Sequence, residues 1–150
     1  MAWTDKEKEL VAVGISVAAG CRPCTKYHYK HAREMEISDD EIRRAVEAAI
    51  SVRKQAAINM ESFAITNLKS GDEGDSNSLL GDDRISVMVR IGAAYAVNST
   101  ADLEIQLMVT ESVAISGDEL QAIAKLAGFI RGKAISHVEK LIPLDNITEP

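Results

Sequence analysis

The sequence predicts an all-α protein, a helical bundle of two tandem three-helix repeats, and three observations point there. Hydrophobic residues make up 46% of the chain but aromatics only 4%, with three prolines, so aliphatic side chains and helix-compatible backbone dominate. Apolar positions recur at the three-and-four spacing of helices. One helix-start signal also occurs twice, 78 positions apart, at Ser38 and Ser116. A chain of 150 residues buries roughly 68–70% of its unfolded surface, so it needs no disulfide staple to fold.

The first helix is expected over about residues 5–19. Its apolar run, Leu10 to Gly20, is about half of the ~20 residues that cross a bilayer, so no transmembrane helix is expected. The run ends Ala-Ala-Gly-Cys, as a lipoprotein signal does. Asp5, Glu7 and Glu9 cancel Lys6 and Lys8 where such a signal carries positive charge, which leaves the cytoplasm as the expected location. Gly20 stops this helix, and the second is expected over about 21–35, with Pro23 in its first turn, where a missing N–H costs nothing. The third begins at Ser38, whose hydroxyl can accept from the amide three residues on while Glu41 reaches back, with Ile37 and Ile42 as a hydrophobic staple. It is expected to reach about Leu68, burying a stripe of Ala45, Ala48, Ala49, Val52, Ala56 and Met60.

Residues 70–83 hold three glycines and five acids and read as a solvated linker. Helices follow at about 83–97, at 99–113, and from Ser116, where Glu119, Ile115 and Leu120 repeat the box and staple. Extending the offset pairs Leu10–Ala56 with Met88–Ala134 without a gap, and ten of the 47 paired positions are identical. The expected units are therefore 1–70, a linker at 71–83, and 84–150, with a loose tail after Pro143. At the chemically interesting positions the halves differ: Cys21 faces Ser99, Cys24 faces Asp102, His28 faces Gln106 and Glu9 faces Val87. One half is expected to catalyse and the other to be structural.

The formal net charge is −6, and no Lys/Arg run is interleaved with aromatics, so nucleic acid and anionic membrane are not expected partners. The two cysteines form one Cys-x-x-Cys at a helix N-terminus. Free amides and the positive end of the helix dipole favour thiolate there, and such thiols drop from about 8.5 to roughly 3.5–7.5. His28, four residues after Cys24, shares that helix face and is placed to take or return a thiol proton. A zinc site from Cys21, Cys24, His28 and His31 would stretch over about 15 Å of helix, too far for four ligands to converge. Three of them with Glu9 remain an alternative, as does a non-catalytic helical module whose cysteines are a structural or metal-binding clip. His31 is expected to be solvated or capping. No metal and no cofactor is expected.

Glu9, then Cys21-x-x-Cys24 after a gap of twelve residues, then His28 followed by Ala32-Arg33, resembles the alkylhydroperoxidase D-like branch of the carboxymuconolactone decarboxylase family. The resemblance covers about Glu9 to Ala56, with the second half a degenerate copy. It implies a proton relay of Glu9, Cys21, Cys24 and His28, in which a thiolate reduces a hydroperoxide or disulfide and the two cysteines close as a disulfide. It also implies a thiol or dithiol reductant, such as a lipoyl or thioredoxin-like protein, and a homo-oligomer. The chain departs from the best-known members at Pro23, where they often carry a further His, and in bearing the motif in its first half.

Overall fold

A computed structural model describes residues 3–69 and 83–142. Six helices follow in order: α1 (Asp5–Ala18), α2 (Arg22–Glu34), α3 (Asp39–Lys69), α4 (Arg84–Ala96), α5 (Thr100–Leu107) and α6 (Gly117–Glu139), with no strand among the described residues. The expected linker, apart from Asp83, and the expected tail from residue 143 lie outside the described residues.

The centre of the molecule is the crossing of α1 and α4. Leu10, Val11, Val13 and Ile15 from one, and Val87, Met88 and Val89 from the other, are essentially inaccessible to solvent. Burial of each such side chain is worth about 1.5–3 kcal/mol, which makes this crossing the main apolar anchor of the fold. It is close because each helix has a glycine there. A Cβ at Gly14 would collide with Val89, and one at Gly92 would stand 2.7 Å from Ile15. Helices α3 and α6 pack around the pair, with Ala45, Ala49 and Val52 from α3 and Ile123, Ala127 and Ile130 from α6 fully buried.

The helix starts are built as the spacing suggests. Ser38 Oγ accepts from the Glu41 amide at 3.2 Å, and the Glu41 carboxylate accepts from the Ser38 amide at 3.0 Å. Ser116 and Glu119 form the same box on α6. Lys6 pairs with Glu41, whose carboxyl is pulled down to about 2, first by that lysine and then by the Ser38 amide. Arg84 pairs with Glu119 and also donates to Glu7 at 3.0 Å, tying the starts of α1, α4 and α6 together.

Two expectations need correction. The middle helix of the second half does not run to 113: α5 ends at Leu107, and turns fill 108–114. There the hydroxyls of Thr110 and Ser112 donate to the carbonyls of Leu107 and Val109, offering the backbone an alternative to the helical ladder beside β-branched Val109 and Val113. The buried stripe on α3 also stops early, since Val52 is buried while Met60 is 62% exposed. A 31-residue α3 is about 46 Å long against about 21 Å for a 14-residue α1, so its C-terminal half overhangs the bundle.

Candidate functional site

The site is assembled at the corner between α1 and α2. The last turn of α1 closes with paired bonds from the Gly20 amide to Val17 O (3.1 Å) and from the Cys21 amide to Ser16 O (3.0 Å). This closure needs a left-handed residue, and Gly20 supplies it with φ 69°. Arg53 of α3 packs over Gly20 and donates to Val17 O at 3.2 Å.

Cys21 therefore belongs to two helices at once. Its amide finishes α1, and its sulfur is the N-cap of α2, accepting from the Cys24 amide at 3.2 Å. The side chain is buried and disulfide-bonded to Cys24, with the two Cα atoms 5.3 Å apart. Pro23 lies in the first turn of α2, as expected. An open cavity of about 850 Å³ reaches Cys21, with Val17, Pro23 and Tyr29 as apolar lining and Arg22, Lys26 and Arg53 as its cations.

Glu9 does not stay with the charged run that precedes it. It is 6% exposed, on the face of α1 that meets α2. Its two oxygens are each 2.7–2.8 Å from an imidazole, Oε1 from Nδ1 of His28 and Oε2 from Nδ1 of His31. Burial alone pushes the carboxyl up, but the bonds from His28 and His31 outweigh it, and the net shift is downward. An ionised carboxylate only accepts, so each Nδ1 donates, which fixes the tautomer and leaves the lone pair of neutral His28 on Nε2.

The four residues picked out in the sequence thus form two joined pairs, Glu9 with His28 and Cys21 with Cys24. No hydrogen bond links one pair to the other. His31 is not a bystander: it is half-exposed and holds the second oxygen of Glu9. His137, on the last turn of α6, was not singled out by any motif. It nonetheless brings a ring nitrogen within 4.8 Å of both cysteine sulfurs.

The family model for carboxymuconolactone decarboxylases matches residues 2–67. Over that stretch, less than half of the chain, the protein is similar to that family. The family match takes in α1, α2 and nearly all of α3, hence Glu9, both cysteines, His28 and His31, while α4–α6 fall outside it. No match is found among curated proteins or among solved structures. No helix among the described residues is long and apolar enough to cross a membrane.

Proposed function

We propose that the chain is a thiol-dependent oxidoreductase of the alkylhydroperoxidase D-like type, in which Cys21 and Cys24 cycle between dithiol and disulfide. The observation that carries this reading is the Cys21–Cys24 pair, bonded at the start of α2, with His28 further along that helix held by the Glu9 carboxylate of α1. His28 shuttles protons through Nε2, and Glu9, anchored by His28 and His31, is the relay acid. One thiolate attacks the outer oxygen of a hydroperoxide. The O–O bond breaks, an alcohol leaves with a proton, and the sulfur becomes a sulfenic acid. The second thiol displaces water from that sulfur and closes the disulfide, and an external thiol or dithiol reopens it by exchange. A disulfide substrate enters by the same exchange chemistry.

The cavity at Cys21 suits an apolar substrate with an anionic end, given Arg22, Lys26 and Arg53, and these cations also favour thiolate. Reductants that fit are a lipoyl or thioredoxin-like protein. The reading includes a reducing, cytoplasmic setting, which keeps the pair available as a dithiol.

Two tandem three-helix units, one live and one structural, complete the proposal. Its support is a set of features 78 positions apart: left-handed Gly20 and Asn98, left-handed Glu36 and Ala114, and the pairs Lys6–Glu41 and Arg84–Glu119. A homo-oligomer is proposed on the overhang of α3, where Ile58, Met60, Phe63 and Leu68 are exposed.

The test is consumption of an organic hydroperoxide by the reduced protein with a dithiol to regenerate it. Wild type should lose the mass of two hydrogens on one turnover. His28→Ala should slow the step by roughly 10²–10⁴. Full activity in a Cys21→Ser/Cys24→Ser double variant would end the thiol reading.

A further inference from the structure

His137 has no task in that cycle, yet of the three histidines it is the one that lies against both sulfurs. Its nitrogen, Cys21 Sγ and Cys24 Sγ are all within 4.8 Å of one another, with Cys21 buried and the other two partly exposed. The donors come from two helix ends, the first turn of α2 and the last turn of α6. His28 and His31, by contrast, are turned toward Glu9.

Two thiolates and an imidazole are the donor set of a borderline-soft cation, and three protein ligands with a fourth position open to water is a known zinc arrangement. Around tetrahedral zinc such donors stand roughly 3.5–3.8 Å apart, given Zn–S near 2.3 Å and Zn–N near 2.0–2.1 Å. Opening the disulfide moves the sulfurs apart toward that spacing, and the partly exposed His137 is free to close on them.

We propose that the reduced Cys21–Cys24 dithiol and His137 form a binding site for a thiophilic divalent cation, Zn²⁺ foremost, so that metal and disulfide are alternative states of the same sulfurs. Loading releases the two thiol protons. Oxidation expels the ion: the metal-bound dithiolate, one hydroperoxide and two protons give the disulfide, an alcohol, water and free Zn²⁺. Metal would thereby hold the thiols out of turnover until peroxide removes it. The site shares with the proposed function the need for a reducible cysteine pair, but requires no catalysis.

The experiment reduces the protein with a phosphine, desalts it without oxygen and titrates Co²⁺ as an optical stand-in for Zn²⁺. One equivalent should produce sulfur-to-cobalt charge-transfer absorption that Zn²⁺ displaces and an added organic hydroperoxide abolishes. Cys21→Ser should lose the band. His137→Ala should weaken binding at least about tenfold, since even residues behind a metal's ligands are worth about 10–100-fold, whereas His31→Ala should leave it unchanged. His137 is partly exposed near a helix end, so its replacement spares the core. The proposal is overturned if no band forms at one equivalent, if the oxidised protein binds equally well, or if His137→Ala binds as wild type does. Hydroperoxide consumption by metal-free reduced protein, run alongside, separates the two readings: turnover without cobalt binding sinks only the metal site, and cobalt binding without turnover sinks only the peroxidase.

Discussion

At the end of α1 the chain turns through Gly20 into Cys21, and at the end of α4 it turns through Asn98 into Ser99. The two corners share their backbone. Cys21 N bonds Ser16 O at 3.0 Å, and Ser99 N bonds Ala94 O at 2.9 Å. Each is then the N-cap of the next helix, and each side chain accepts from the amide three residues on, at 3.2 Å for Cys21 and 3.3 Å for Ser99. The contents differ. Ser99 also donates to the Asp102 carboxylate where Cys21 is bonded to Cys24, and buried Gln106 and Val87 stand where His28 and Glu9 do. The corner is thus a scaffold that needs only a small polar cap, and two sulfurs, an imidazole and a carboxylate are what the first corner adds to it, the groups on which the proposed redox chemistry rests.

The comparison breaks most sharply at the caps. Cys24→Ser should abolish multiple turnover with the fold retained, while Asp102→Ala should leave turnover near wild type and reduce stability by about 1 kcal/mol, the scale of a hydrogen bond at a helix start. Steady-state hydroperoxide consumption beside a thermal melt distinguishes them, and a comparable loss of turnover in both variants would make the second corner catalytic.

Next in size is the left-handed turn. Gly20→Ala should cost about 1–2 kcal/mol, because an alanine at φ 69° brings its Cβ against the carbonyl and toward Arg53, 3.0 Å away. Asn98→Gly at the matching position, φ 60°, should be neutral or slightly stabilising. Equal losses in urea-melt stability for the two variants would mean that the turns are not equivalent.

The smallest effect is in pH. Glu9 has a folded pKa below its ordinary value, so its ionised form stabilises the fold above the usual glutamate range near 4.3, and that contribution disappears as pH falls through the lower folded value. The melting temperatures of wild type and Glu9→Gln should therefore differ at about pH 6 and converge as the pH falls below the usual glutamate range near 4.3 and through the lower folded value. A difference that persists unchanged in acid would show that the carboxylate charge is not what His28 and His31 hold.

Much of this was legible in the sequence, for identifiable reasons. Capping boxes are local, so Ser38 and Ser116 located helix starts to the residue, and Gly20 followed by Cys-x-Pro-Cys located the corner. What depends on length and distance was not. Periodicity cannot say where an amphipathic face runs out of partners, so the pattern predicts a buried Met60 that is in fact exposed. Spacing within α2 explains why His28 suits Cys24, but the pairing of His31 with Glu9 depends on how α1 and α2 cross. His137 lies far along the chain from the motif and outside the repeat alignment, and only the docking of α6 on α2 brings it to the sulfurs.

Cys21 gives its amide to α1 and its sulfur to α2, and these obligations do not compete. A change in the covalent state of the sulfur therefore leaves the closure of α1 intact and alters only what the Cys24 amide donates to. A thiolate is a stronger acceptor than a disulfide sulfur. Opening the disulfide should therefore register first in the exchange protection of the Cys24 amide at the head of α2, a bookmark readable by deuterium labelling.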